Sequence, residues 1–152
     1  MTHAHPEASA GAIAVAVAAA CAWRLRGAAG LPRGPAFLDQ VLTHIPASQV
    51  REGVAQARAL APSSSVREAA LALGNGSRVT AQDTVPFVLW CAAQHLDNYA
   101  EAMWLTASGL GDVDTNCAMV GGIVAAYTGV EGIPAEWLRR REPLPAWAFQ
   151  NT

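Results

Sequence analysis

The stretch "GLGDVDTNCAMVGG", residues 109–122, places Asp112 and Asp114 one residue apart at the head of an apolar run. Thr115 and Asn116 add two more side-chain oxygens directly behind them. No lysine or arginine lies within ten residues of the pair on either side. Close, unpaired carboxylates repel and raise one another's pKa, so this pair calls for a cation or for a helix N-terminus. Capping is the plainer reading: Asp114 or Thr115 accepts backbone N–H groups, and the helix dipole favours both acids. Three features favour a ligand set instead. The acids border a core segment, Thr115 and Asn116 extend the oxygen cluster, and Gly109 and Gly111 let the backbone bend so that the carboxylates converge. An all-oxygen, negatively charged set suits a hard divalent ion such as Mg²⁺ rather than zinc.

The elements that must hold this turn read as helices throughout. Pro6 and Glu7 suit a first turn, and residues 7–26 form an alanine-rich helix closed by Gly27. Residues 35–45 and 47–60 make two shorter helices separated near Pro46. Ser65 and Glu68 have capping-box spacing and open another, which Gly74 and Gly76 break. Residues 84–96, with Pro86 in the first turn and Asp83 as cap, and residues 98–108 follow. The acidic turn starts a helix through Tyr127, "IPAEWLRRR" a short final one, and residues 142–152 an irregular tail. No segment alternates with β-branched enrichment, so no strands are expected. One all-α domain over residues 1–152 is the prediction. In the helix after Asp114, Ala118, Gly122 and Ala126 recur every fourth position and Gly121 and Ala125 widen the stripe, predicting a small-residue ridge for close helix packing and burial all round.

Composition narrows the remaining classes. With 52% apolar and 14% charged residues the 152-residue chain is not disordered, and it is long enough to bury a core. A net charge of −2 gives no nucleic-acid footprint, and the one basic cluster, Arg139-Arg140-Arg141, suits a helix C-terminus. Cys21, Cys91 and Cys117 are odd in number and lack a CxxC, which fits reduced thiols and a cytoplasmic setting. "ASAGAIAVAVAAACAW" falls short of the about 20 residues of a membrane span, so no membrane is expected as a partner. "HAHPE" spaces His3, His5 and Glu7 like zinc ligands but supplies no fourth, while His44 and His95 read as helix-end residues. Trp90, Trp104 and Trp137 read as core, and "LGNGS" lacks the lysine and the strand of a nucleotide loop.

Taken in order, three stretches resemble the ADP-ribosylglycohydrolase family, which includes the dinitrogenase reductase-activating glycohydrolase. "GDVDTNCAMVGGIVAAYTG" is similar to that family's C-terminal metal motif. "THAHPEASAGAIAVAVAAA" resembles its T-H segment and alanine-rich helix, and "LGNGSRVTAQDTVPFVLWCAAQHL" its glycine-rich turn before a V-P helix. The resemblance implies the C-terminal half of an ADP-ribosylglycohydrolase-type orthogonal helical bundle. It implies Asp112, Asp114 and Thr115 as metal ligands, His3 beside bound ADP-ribose, and Gly74, Asn75 and Gly76 on the nucleotide-side rim.

It further implies hydrolysis of the glycosidic bond between ADP-ribose and an acceptor, dependent on two Mg²⁺ ions, with Mn²⁺ as a substitute. The family's upstream T-D-D-T-like ligands and its acidic catalytic residue have no counterpart here, so no catalytic residue is assigned. Activity is therefore expected to need a complementary N-terminal fragment. The alternative is a non-catalytic remnant that binds ADP-ribose or packs against a partner. Removing half a bundle uncovers apolar faces, and self-association is expected from them.

Overall fold

The computed structural model describes residues 4–27, 30 and 32–143. Its elements are α1 (Pro6–Leu25), α2 (Pro35–Leu42), α3 (Gln49–Ala59), α4 (Val66–Leu73), α5 (Ala81–Gln94), α6 (Tyr99–Ser108), α7 (Val113–Thr128), a 3₁₀ turn (Val130–Gly132) and α8 (Ala135–Arg140). Among the described residues there is no strand, as the patterning predicts.

Local chemistry sets the helix ends. Ser65 and Glu68 form the expected capping box. Thr43 and Ser48 shorten α2 and α3 relative to expectation: Thr43 Oγ1 donates back to the Gln40 carbonyl at 2.8 Å, and Ser48 caps α3 by accepting the Arg51 N–H at 3.1 Å. Arg51 in turn donates to the carbonyls of Leu42 and Ile45, satisfying acceptors left over at the end of α2. His5 is the N-cap of α1, its Nδ1 accepting the Glu7 N–H at 3.2 Å. Glu7 reaches across the fold instead: its two carboxylate oxygens accept the N–H groups of Gln49 and Val50, each at 2.9 Å. That places a negative charge on the N-terminus of α3 and ties it to the start of α1.

The helix buried all round is α5, not α7. Every residue from Asp83 to Ala93 is buried, and α5 packs against α1, α2, α3, α4, α6 and α7. It begins three residues earlier than predicted, so Pro86 stands in its second turn and Asp83 inside the helix rather than before it. The Pro86 ring lies on Gly53 of α3, where a Cβ would come within 2.5 Å of Cγ. That close approach fixes the α3–α5 contact.

Small residues make close approaches on two helices, and on α7 only part of the expected ridge does so. Ala10, Ala14, Ala18 and Ala22 of α1 are at most 1% exposed and let it sit closely on α5 and α7. On α7, Ala118 and Gly122 face outward, and a Cβ on Gly122 would meet nothing within 4 Å. Gly121, one position round, makes the close approach, to the Tyr99 hydroxyl of α6. Periodicity found a stripe of small residues, but helix rotation decided which stripe is buried.

The aromatic residues divide. Trp90 is core at 4% exposure, whereas Trp104, expected inside, is 63% exposed and meets Trp137 edge-on at 6.1 Å. α1 measures 20 residues, so it is long and apolar enough to cross a membrane, contrary to the length argument. Its alanine face is packed in the bundle, while Ile13 and Trp23 remain exposed on its other side.

Candidate functional site

The acidic turn is built by two loops that interlock. The α4–α5 loop carries Gly74, Asn75 and Gly76; the α6–α7 loop carries Gly109 to Asp112. The Asn75 carbonyl accepts the Asp112 N–H at 3.0 Å and the Asn116 side-chain Nδ2 at 2.8 Å. The Asn75 side chain crosses the other way, Nδ2 donating to the Gly109 carbonyl at 3.0 Å. Its Oδ1 accepts from Ser77, from the hydroxyl at 2.7 Å and the N–H at 3.3 Å.

Both glycines at the crossing are obligatory. Gly111 has φ +72°, and a Cβ there would run into the Asn75 carbonyl and side chain. Gly76 has φ +85°, and a Cβ there would stand 2.7 Å from the Asp112 Cβ. L-residues pay for left-handed φ with Cβ crowding, and here the space is also taken.

Asp83, expected as a plain helix cap, is the second anchor of the α4–α5 loop. Its side chain is 6% exposed, Oδ2 accepts the Arg78 N–H at 2.8 Å, and its backbone oxygen accepts the Gly76 N–H at 3.0 Å. Between these anchors Val79 is held at φ 55°, and across the crossing Leu110 at φ 58°. Non-glycine residues so placed are strained, and such strain concentrates at functional sites.

The two acids share the head of α7. Asp112 is the N-cap of α7, yet its side chain makes no capping bond. The Asp114 carboxyl is drawn below the usual aspartate range, by Asp112 first and then by the N–H groups of Thr115 and of Asp114 itself. The capping reading therefore fails for the Asp112 side chain. Asp114 and Thr115 are exposed, and Asp112 is half-buried. Behind them Asn116 is 0% exposed. With its Nδ2 committed to Asn75, its Oδ1 has no hydrogen-bond partner among the described residues.

These donors are hard oxygens on one turn and fit one Mg²⁺-like ion completed by water. Among the described residues no group of three or more His, Cys, Asp or Glu side chains gathers there, which leaves the Thr115 hydroxyl and water as the further ligands. Of the His3, His5 and Glu7 spacing, His5 and Glu7 are spent on backbone N–H groups at the starts of α1 and α3. His3 lies outside the described residues, as do residues 144–152 with Trp147.

Two grooves lie on the α4–α5 loop, and neither is lined by Asp112, Asp114 or Thr115. One, of about 1040 Å³, is walled by Gly74, Asn75, Arg78, Asp83, Gly109 and Leu110. The other, of about 700 Å³ and mostly apolar, is walled by His5, Gly11, Val15, Val79 and Met119. The chain brings Asp112 against Asn75 and Gly76, with Asp114 and Thr115 following in the first turn of α7, while Gly74 lies against Asp83. What sequence reading missed is the cross-link itself. Asn75 and Asn116 lie 41 residues apart, and nothing in either segment names the other.

The family model described as ADP-ribosylglycohydrolase matches residues 1–150. No curated protein and no solved structure matches the chain. The all-helical architecture, the D-x-D-T turn and a match over nearly the whole chain agree, and the chain belongs to the ADP-ribosylglycohydrolase family.

Proposed function

We propose that the acidic turn binds one Mg²⁺ ion through Asp112, Asp114 and Thr115 and presents it to an ADP-ribosyl group. What supports this reading is that Asp112, Asp114 and Thr115 share the head of one helix, with no lysine or arginine within ten residues along the chain. In the bound state the ion supplies positive charge that orients ribose hydroxyls and water beside the anomeric carbon. The residues of the chain do the rest. The interlocked loops hold the carboxylates in register, and the Gly74–Gly76 segment, with no side chain at either glycine, lets a nucleotide approach the backbone along the larger groove.

Cleavage of a glycosidic bond builds positive charge on the sugar and draws on nearby carboxylates. Those here are committed to the cation. A complementary segment is therefore needed to supply a second ligand set and the acid, making the chain one part of a Mg²⁺-dependent glycohydrolase. A second reading, a non-catalytic ADP-ribose-binding module, is favoured by the open stance of Asp114 and Thr115, which face solvent.

Calorimetric titration with MgCl₂ and then with ADP-ribose tests both. Mg²⁺ binding that is lost in Asp114→Asn with helix content intact supports the site; unchanged affinity in that variant removes it. Turnover that appears only on adding an upstream family fragment supports the glycohydrolase reading, and binding without turnover supports the module.

A further inference from the structure

We infer that Asn75 and Asn116 form a clamp that positions the acidic turn, so that cation affinity is set by two amides that touch no cation. For its functional consequence this rests on the Mg²⁺ reading above; for its geometry it does not.

Asp112 is the pivot. Its N–H is held by the Asn75 carbonyl, its own carbonyl accepts the Asn116 N–H at 3.0 Å to start α7, and its Cβ lies against Gly76. The orientation of the carboxylate therefore follows the position of the Asn75 peptide. That peptide is fixed from two directions, by the Asn116 amide from α7 and by the Asn75 side chain on Gly109.

The assignment of the Asn116 amide is forced, because exchanging its nitrogen and oxygen would face two carbonyl oxygens. Its Oδ1 then points toward Gly76 and Thr84. A Cβ on Gly76 would stand 3.4 Å from that Oδ1 and 3.5 Å from the Thr84 Oγ1. A buried acceptor with no partner costs stability, so Asn116 is a poor choice for holding the fold alone. A purely structural position would be as well served by leucine. The donor to Asn75 is what the amide contributes. Residues that orient metal ligands in this manner typically change affinity by roughly 10–100-fold when removed.

Two variants separate positioning from stability. Asn75→Asp keeps an acceptor for Ser77 but loses the donor to Gly109; Asn116→Leu removes the donor to Asn75 and the orphan acceptor together. The readouts are MgCl₂ affinity by calorimetry, hydrogen exchange at the Asp112 amide, and the thermal midpoint without metal. Both variants should weaken Mg²⁺ binding by roughly 10–100-fold and speed exchange at Asp112. The midpoint of Asn116→Leu should stay level or rise.

Unchanged affinity and exchange in both variants would overturn the clamp, as would affinity loss that merely tracks the unfolded fraction. Rapid exchange at Asp112 in the unaltered chain overturns it without any variant. If the unaltered chain binds no Mg²⁺ at all, the cation reading fails, and the exchange data alone still decide the clamp.

Discussion

Alanine at Gly111 and alanine at Gly122 should move stability in opposite directions, although both glycines belong to one motif and one helix neighbourhood. At Gly111 the backbone has φ +72°, a conformation that costs an L-residue about 1–2 kcal/mol. The new methyl also meets the Asn75 carbonyl and side chain, and forcing a methyl into filled space costs about 1–3 kcal/mol more. The sum, about 2–5 kcal/mol, is a large share of the about 5–15 kcal/mol typical of a domain. At about 2–4 °C per kcal/mol for a domain of this size, the midpoint falls by about 4–20 °C. Relief comes only by moving the α6–α7 loop off Asn75, which breaks the Asp112 N–H bond.

Gly122 lies in the interior of α7 with nothing within 4 Å of a Cβ. Alanine there removes a helix penalty of about 1 kcal/mol and meets no atom, so the midpoint should rise by about 2–4 °C. Thermal unfolding followed by circular dichroism reads both, with hydrogen exchange at Asp112 as the local probe. Equal effects at the two positions, or a Gly111→Ala protein with an unshifted midpoint, would refute the interlocked-loop argument.

Other expectations follow from the same geometry. The depressed Asp114 pKa means its contribution to stability is present above the ordinary aspartate range and is lost as pH falls through the lower, folded value. NMR titration should find that low midpoint, and Asp112→Ala should return it toward the ordinary value; an unmoved midpoint would show that Asp112 is not its main cause. The Cys91 thiol, pushed up to about 12 by burial, should resist a disulfide reagent at pH 8 until the protein unfolds. Cys21 and Cys117, raised by burial but only partly covered, should react in the native state, and labelling followed by mass spectrometry distinguishes the three. Val79→Asn should stabilise by about 1 kcal/mol, because asparagine tolerates the left-handed conformation that valine at φ 55° does not; a denaturation midpoint at or below that of the unaltered chain would count against strain at this position.

Local signals written within a few residues were legible directly. The capping box at Ser65 and Glu68, the absence of strand patterning and the helix following Asp114 need only neighbours three or four positions away. The order of three family-like stretches carried the fold class and the D-x-D-T turn, and the family match over residues 1–150 agrees with it. Rotation of helices was not legible. α5 and α7 are both apolar around most of their circumference, so periodicity could not say that α5 would be enclosed and that Ala118 and Gly122 would face outward. Trp104 was misplaced for the same reason, its ring finding Trp137 across the surface of α6 and α8 rather than the core.

The acidic turn shows the division most clearly. Sequence alone determined its chemistry: two carboxylates, a hydroxyl and an amide within five positions, with no cation of their own. Only the tertiary structure decided where those oxygens point. Their backbone is held by Asn75, on a different loop, through bonds whose partners lie far apart along the chain. Side-chain type is a property of each residue, but hydrogen-bond geometry between distant segments exists only once burial has brought them together.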